Sequence, residues 1–191
     1  MRQSDLTSVS TLHLRTLPTM TARIGAPYLF SLYETLLRNT GVNNVLVATE
    51  DRQIIGVISA TSDLSETQKR LQHAFVRPEN LQMIIVAIIR GRVTIRELMD
   101  RISFERQIFR FSPQPYPTIL TFFVSKTHQH QGIGEKLLHA LEKQLSFCNK
   151  LYVDTELTNT FARKWYRNHG FRFVRTIQNN AIAVKTLTAA P

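Results

Sequence analysis

The stretch 118–145 constrains the fold more than any other part of the chain. It opens with TILTFFV (118–124), apolar almost throughout, so both faces of this strand must be covered. A polar turn, SKTHQH (125–130), runs straight into a helix. There Ile133, Leu137, Leu138, Leu141 and Leu145 recur at helical spacing. A strand covered on two faces and followed at once by an amphipathic helix requires layers of sheet and helix. The chain is therefore read as α/β.

The rest of the pattern agrees. The 191 residues suit one domain, 1–191, and need no metal or disulfide staple. Residues 9–17 (VSTLHLRTL) alternate in part through Val9, Leu12 and Leu14 and predict a first strand. Tyr28, Leu29, Leu32, Tyr33, Leu36 and Leu37 predict a helix that stops at 39–41. The β-rich runs 44–49 and 53–61 form a hairpin about the polar turn 50–52. A short strand at 151–153, a helix at 160–168 and a hairpin of 171–177 with 181–187 close the chain.

Between hairpin and buried strand lies a helical insertion, 63–111. Asp63-x-x-Glu66 and Thr94-x-x-Glu97 are capping boxes, and Pro78 opens a helix that Gly91 ends. The last helix carries an apolar face of Ile95, Leu98, Met99, Ile102 and Phe109. Segment 81–89 is apolar all round, which predicts that it is covered by neighbouring helices; a homodimer contact and a wall of an acceptor pocket are the sharper roles. Arg90, Arg92, Arg96, Arg101, Arg106 and Arg110 are interleaved with acids. The Glu97–Arg101 and Arg101–Glu105 pairs predict a solvated, ion-paired face. Prolines in the segment 112–117 make it a stiff connection.

Charge and cysteine usage narrow the setting. With 24 Lys+Arg against 14 Asp+Glu the net charge is +10, which attracts nucleic acid, anionic lipid or a phosphorylated cofactor. No aromatic RNA-binding signature accompanies it, which argues against a nucleic-acid module. The longest unbroken apolar run, 83–89, falls far short of the roughly 20 residues of a membrane span. Segment 1–20 lacks a secretory pattern, and the single cysteine, Cys148, excludes a disulfide framework. The expectation is a reducing, cytoplasmic location. His128 and His130 lack a third ligand, so no metal is expected.

Gly132 and Gly134 both fall in the first turn of their helix. Glycine there costs about 1 kcal/mol against alanine, so the pairing points to a ligand that approaches the backbone closely. First-turn amides backed by the helix dipole bind phosphate. The spacing is neither of the common nucleotide loops, and an ordinary strand–turn–helix junction accounts for it equally well.

Val124-x4-Gln129-x-x-Gly132-x-Gly134 nevertheless resembles the pyrophosphate-binding signature of the GNAT superfamily, the acyl-CoA-dependent N-acyltransferases. Downstream, Asn159-x-x-Ala162-x-x-Trp165-Tyr166-x-x-x-Gly170-Phe171 is similar to that family's second motif. The resemblance implies a mixed, mostly antiparallel central sheet, splayed at the CoA strand and flanked by helices. It implies an N-acetyltransferase that moves an acetyl or other short acyl group from acetyl-CoA to a primary amine by direct attack. Amides of Gln129, His130, Gln131, Gly132, Ile133 and Gly134 would hold the pyrophosphate, with the Gln129 and His130 side chains adding hydrogen bonds.

The same resemblance lays the pantetheine arm along Phe122 to Val124, facing 151–153. The Val124 amide would stabilise the oxyanion. Asn159 matches a pantetheine-contacting position and also reads as a helix cap. Tyr166 matches the general acid, since a phenol titrating near 10 is still protonated when a thiolate of pKa near 8.5 departs. For the base, Asp154 is named first, ahead of Glu156 and Glu50, with a water chain as the other route. The insertion 63–111 departs from the family's shorter connection and leaves the acceptor open. A non-catalytic acyl-CoA sensor is the alternative reading, and a basic protein docking on nucleic acid or ribosomes is another.

Overall fold

The computed structural model describes residues 1–111 and 117–187. Helices α1 (Leu6–Thr16), α2 (Met20–Ile24) and α3 (Ala26–Leu37) precede a hairpin of β1 (Asn43–Glu50) and β2 (Gln53–Thr61). Helices α4 (Leu64–Phe75), α5 (Pro78–Ile89) and α6 (Ile95–Phe111) form the insertion. Then follow β3 (Thr118–Val124), α7 (Ile133–Gln144), β4 (Lys150–Glu156), α8 (Thr160–Asn168), β5 (Arg172–Ile177) and β6 (Asn180–Thr186). The strands make one sheet in the order β1-β2-β3-β4-β6-β5. Every pairing is antiparallel except β3 with β4, whose parallel course needs the α7 crossover between them.

Both faces of the sheet are covered. On one, Ile58, Ile119, Leu151 and Val153 pack against Leu137 and Leu141 of α7 and Tyr166 of α8. Gly56 lets α7 lie close, because a Cβ there would stand 3.1 Å from Leu137 Cδ1. On the other face Val45, Val57 and Phe123 meet Leu6, Val9, Tyr33 and Leu36. This two-sided burial is what the apolar run of β3 demanded.

Four expectations are corrected. Segment 9–17 is no strand: Leu6, Val9, Ser10 and His13 are buried at helical spacing on α1. Polar Ser10 and His13 occupy the inward face, so hydropathy hides the true period. Segment 81–89 is not covered all round, since Ile85 is 55% and Ile89 79% exposed while Ile84 and Ala87 are buried. On α6 the buried residues include Phe104 and Ile108, whereas Ile95, Met99 and Ile102 are exposed. The α6 arginines pair as expected at Arg101–Glu105, but Glu97 turns to Arg23 of α2 and caps its own helix through Thr94. The side chains of Phe109 and Arg110, and the prolines of 112–116, lie outside the described residues.

Candidate active site

The sheet opens where β3 leaves β4. The two strands pair only through Thr118 with Tyr152 and Ile119 with Val153, and the Tyr152 amide donates to the Pro117 carbonyl at 2.8 Å. β2 and β3 slip register between Ser59 and Ala60, which leaves Leu120 as an extra residue on β3. The bulge puts Ile119 and Phe122 on the same face, although strict alternation would separate them. β4 stays paired with β6 along its whole length, from Lys150 to Glu156. Among the described residues the splay therefore presents two strand edges that no other strand pairs with, the geometry that accepts an extended ligand as an added strand. It lies between Leu120–Val124 and 154–156. Residues 151–153, expected opposite Phe122 to Val124, lie level with the start of β3, because the parallel register is set at Thr118 and Ile119.

At its open end β3 runs into the loop 125–132. The Ser125 amide donates to the Ile55 carbonyl at 2.7 Å and fixes the loop's start. His130 and Gly132 adopt left-handed conformations, φ 63° and 74°. These turns leave the amides of 129–135 without any protein acceptor among the described residues. A Cβ on Gly132 would meet nothing within 4 Å, so the space before these amides is open. Consecutive free amides at the start of α7, with its dipole behind them, form an anion cradle.

The side chains of this loop are used differently from the expectation. Gln129 Nε2 donates to the Val124 carbonyl at 3.1 Å and Gln131 Nε2 to the Thr127 carbonyl at 3.3 Å. The His130 ring stands edge-on to Phe161, with ring centroids 6.0 Å apart. These groups shape the loop and leave anion contact to the backbone. Ile133 packs half-buried on the core, and a Cβ on Gly134 would lie 3.4 Å from Phe122 Cζ and 3.5 Å from Trp165 Cζ2. Gly134 thus answers to packing. Glu50 is hydrogen bonded to His128 at 3.1 Å, beside the loop and away from the splay.

Tyr166 projects from α8 into the core beside the splay. Its ring meets Trp165 at 5.4 Å, Phe171 at 5.2 Å and Phe122 at 6.4 Å between centroids. Burial, and then the Asp154 charge, hold its phenol well above the ordinary range. Asp154 sits at the splay on β4, and burial pushes its carboxyl up against the opposing pull of Arg101. Asn159 caps α8, its side chain accepting from the Ala162 amide at 3.0 Å. Glu156, at the exposed end of β4, accepts from the Thr158 hydroxyl at 3.4 Å. Cys148 is buried, and burial raises its thiol.

The insertion reaches this centre. Arg101 Nε donates to Glu105 at 2.8 Å, and the pair interacts electrostatically with Asp154 and with Tyr28 of α3. Arg101 and Glu105 are the partly exposed ion pair that their spacing predicts; nothing in the sequence points to Tyr28 or Asp154 beside them. Their i,i+4 spacing was visible, but only the fold brings Asp154 beside them. Among the described residues no group of three or more His, Cys, Asp and Glu is placed to hold a metal ion, and no helix is long and apolar enough to cross a membrane.

Comparison with known proteins bears on the fold and the family. The profile described as the acetyltransferase (GNAT) family matches residues 9–171. No curated protein sequence matches the chain. Among solved structures, PH1933 from Pyrococcus horikoshii OT3 is similar with a TM-score of 0.64 and 16% identity, over 97% of this chain and 92% of that one. The PaiA N-acetyltransferase of Thermoplasma acidophilum, solved with coenzyme A, gives 0.60 and 14%, over 97% and 95%. The Escherichia coli ribosomal-protein-S18-alanine N-acetyltransferase gives 0.57 and 14%, over 100% and 93%. At these identities the structural likeness speaks to fold, and the match over most of the chain speaks to family: the chain belongs to the acetyltransferase (GNAT) family.

Proposed function

We propose that the chain is one N-acetyltransferase domain that carries an acetyl, or another short acyl, group from its CoA thioester to a primary amine. The observation that carries this reading is the splay of β3 from β4 opening onto the free amides of 129–135. A diphosphate on those amides would lead the pantetheine arm along β3, with its thioester held between Val124 and Asp154. Coenzyme A in the Thermoplasma neighbour supports that co-substrate.

The reaction then needs little covalent work from the protein. Holding amine and thioester together supplies much of the rate. Because Ser125 bonds to Ile55, Val124 opposite Gly56 falls at the alternate position of the ladder, so its amide would turn from β2 toward the splay and stabilise the oxyanion. Tyr166, kept protonated by burial, would give its proton to the departing thiolate. Asp154, with Arg101 and Glu105 beside it, would face the incoming amine. The lone buried Cys148 suits a reducing, cytoplasmic setting. The test is calorimetry with coenzyme A, followed by an acetyl-CoA and amine-panel screen of the unmodified chain. Micromolar uptake and thiol release with an amine support the reading; no uptake at millimolar ligand overturns it.

A further inference from the structure

Opposite α7 and α8, a line of hydrogen bonds crosses an otherwise apolar core. Ser59 Oγ lies 2.6 Å from Thr121 Oγ1, which is 3.3 Å from Tyr33 Oη. Tyr33 Oη lies 2.8 Å from His13 Nδ1; His13 Nε2 lies 3.1 Å from Thr19 Oγ1, itself 2.9 Å from Thr21 Oγ1. Tyr33 is 0% and His13 1% exposed, among Leu6, Val9, Leu36, Val57 and Phe123. Apolar side chains would fill this space without the cost of desolvating a phenol and an imidazole. The line also has a direction. It starts at Thr121, half-buried on the part of β3 that leaves β4, and ends at half-buried threonines between α1 and α2.

We propose that Thr121, Tyr33 and His13 relay the proton of the attacking amine from the splay to Thr19 and Thr21, and so to solvent; this rests on the acyl-transfer reading above. With Nε2–H of His13 donating to Thr19, the free Nδ1 accepts from Tyr33, and Tyr33 accepts from Thr121. As the amine adds to the thioester carbonyl, an N–H bond breaks and its electron pair stays on nitrogen. The proton passes to Thr121 Oγ1, which hands its own to Tyr33 Oη, and Tyr33 hands its own to His13 Nδ1. His13 releases the Nε2 proton to Thr19, Thr19 releases one to Thr21, and Thr21 releases one to water. Each relay atom gains and loses one proton, so no charge stays in the core. Rotation of the ring does not change its tautomer, so before the next turnover His13 gives its Nδ1 proton to water and takes one back at Nε2 as the α1–α2 junction opens transiently. Burial holds the His13 imidazole down at about 4, so it passes a proton on and does not trap it.

The test compares acetyl transfer to benzylamine, charged at neutral pH, and to 2,2,2-trifluoroethylamine, uncharged there and easily deprotonated by water after attack. In Tyr33→Phe and Thr121→Val the relay predicts about a hundredfold loss of kcat with benzylamine and little change with trifluoroethylamine. Thr121→Ser, which keeps the hydroxyl, retains the rate. Equal losses with both amines, or an unchanged rate with benzylamine, overturn the relay. Calorimetry with coenzyme A on the same variants separates the two levels, since lost uptake by the unmodified chain counts against acyl transfer itself. Nitrogen-15 NMR of His13 in the unmodified chain needs no acceptor: a protonated Nε2 with a bare Nδ1 supports the relay, and a protonated Nδ1 overturns it.

Discussion

The side-chain amide of Gln129 donates to the backbone carbonyl of Val124 at 3.1 Å, folding the loop back on the strand that feeds it. One hydrogen bond thus couples the strand expected to hold the thioester to the amides expected to hold the diphosphate. Gln129→Ala removes that clamp without touching a ligand. A bond of this kind is worth about 1 kcal/mol, so coenzyme A affinity should fall roughly fivefold to tenfold in calorimetry, with little change in melting temperature.

Gly132 separates conformation from charge. Its φ of 74° disfavours a side chain, while the space around it is empty. Gly132→Ala should cost about 1 kcal/mol of stability in denaturant unfolding. Gly132→Asp adds a carboxylate beside the cradle and should abolish coenzyme A uptake, beyond what its unfolding midpoint explains.

Tyr166 should matter to turnover and not to affinity. Tyr166→Phe preserves the ring packing against Phe171 and Phe122 and deletes the proton donor. Acetyl transfer should drop about a hundredfold or more with coenzyme A affinity unchanged. In the unmodified chain the Tyr166 phenol should stay protonated past pH 10, because its folded-state pKa is raised.

His13 should leave a mark on acid stability. Its imidazole titrates near 6.5 when unfolded and at about 4 in the fold. Between those values the unfolded chain binds a proton that the native chain refuses, so stability is full above pH 6.5 and falls as the pH drops toward 4. The loss should be about 3 kcal/mol by pH 4. In His13→Gln that slope in unfolding free energy against pH should disappear.

The sequence was most legible where side-chain period and burial agree. The continuous apolar β3 and the spacing of Leu137, Leu138 and Leu141 on α7 predicted a two-face strand and its helix, and both are present. Gly132 and Gly134 marked the loop, though Gly134 also serves packing against Phe122 and Trp165. Segment 9–17 was misread because His13 takes a core position by bonding to Tyr33, a partner twenty residues away that hydropathy does not reveal. Arg101 and Glu105 form the partly exposed ion pair that their spacing predicts, but their relation to Asp154 depends on how α6 lies against the sheet and has no signal in the spacing. Apolar patterning alone does not mark the covered faces of α5 and α6, because Ile85, Ile89 and Met99 stand at the surface.

The most direct test of the whole account is a proton–nitrogen NMR titration of the unmodified chain with coenzyme A. Amides of 129–135 should show the largest shifts, followed by those of β3 and β4 along the splay. If those loop amides stay unmoved while coenzyme A binds elsewhere, or does not bind, the diphosphate cradle and the acyl-transfer reading built on it are wrong.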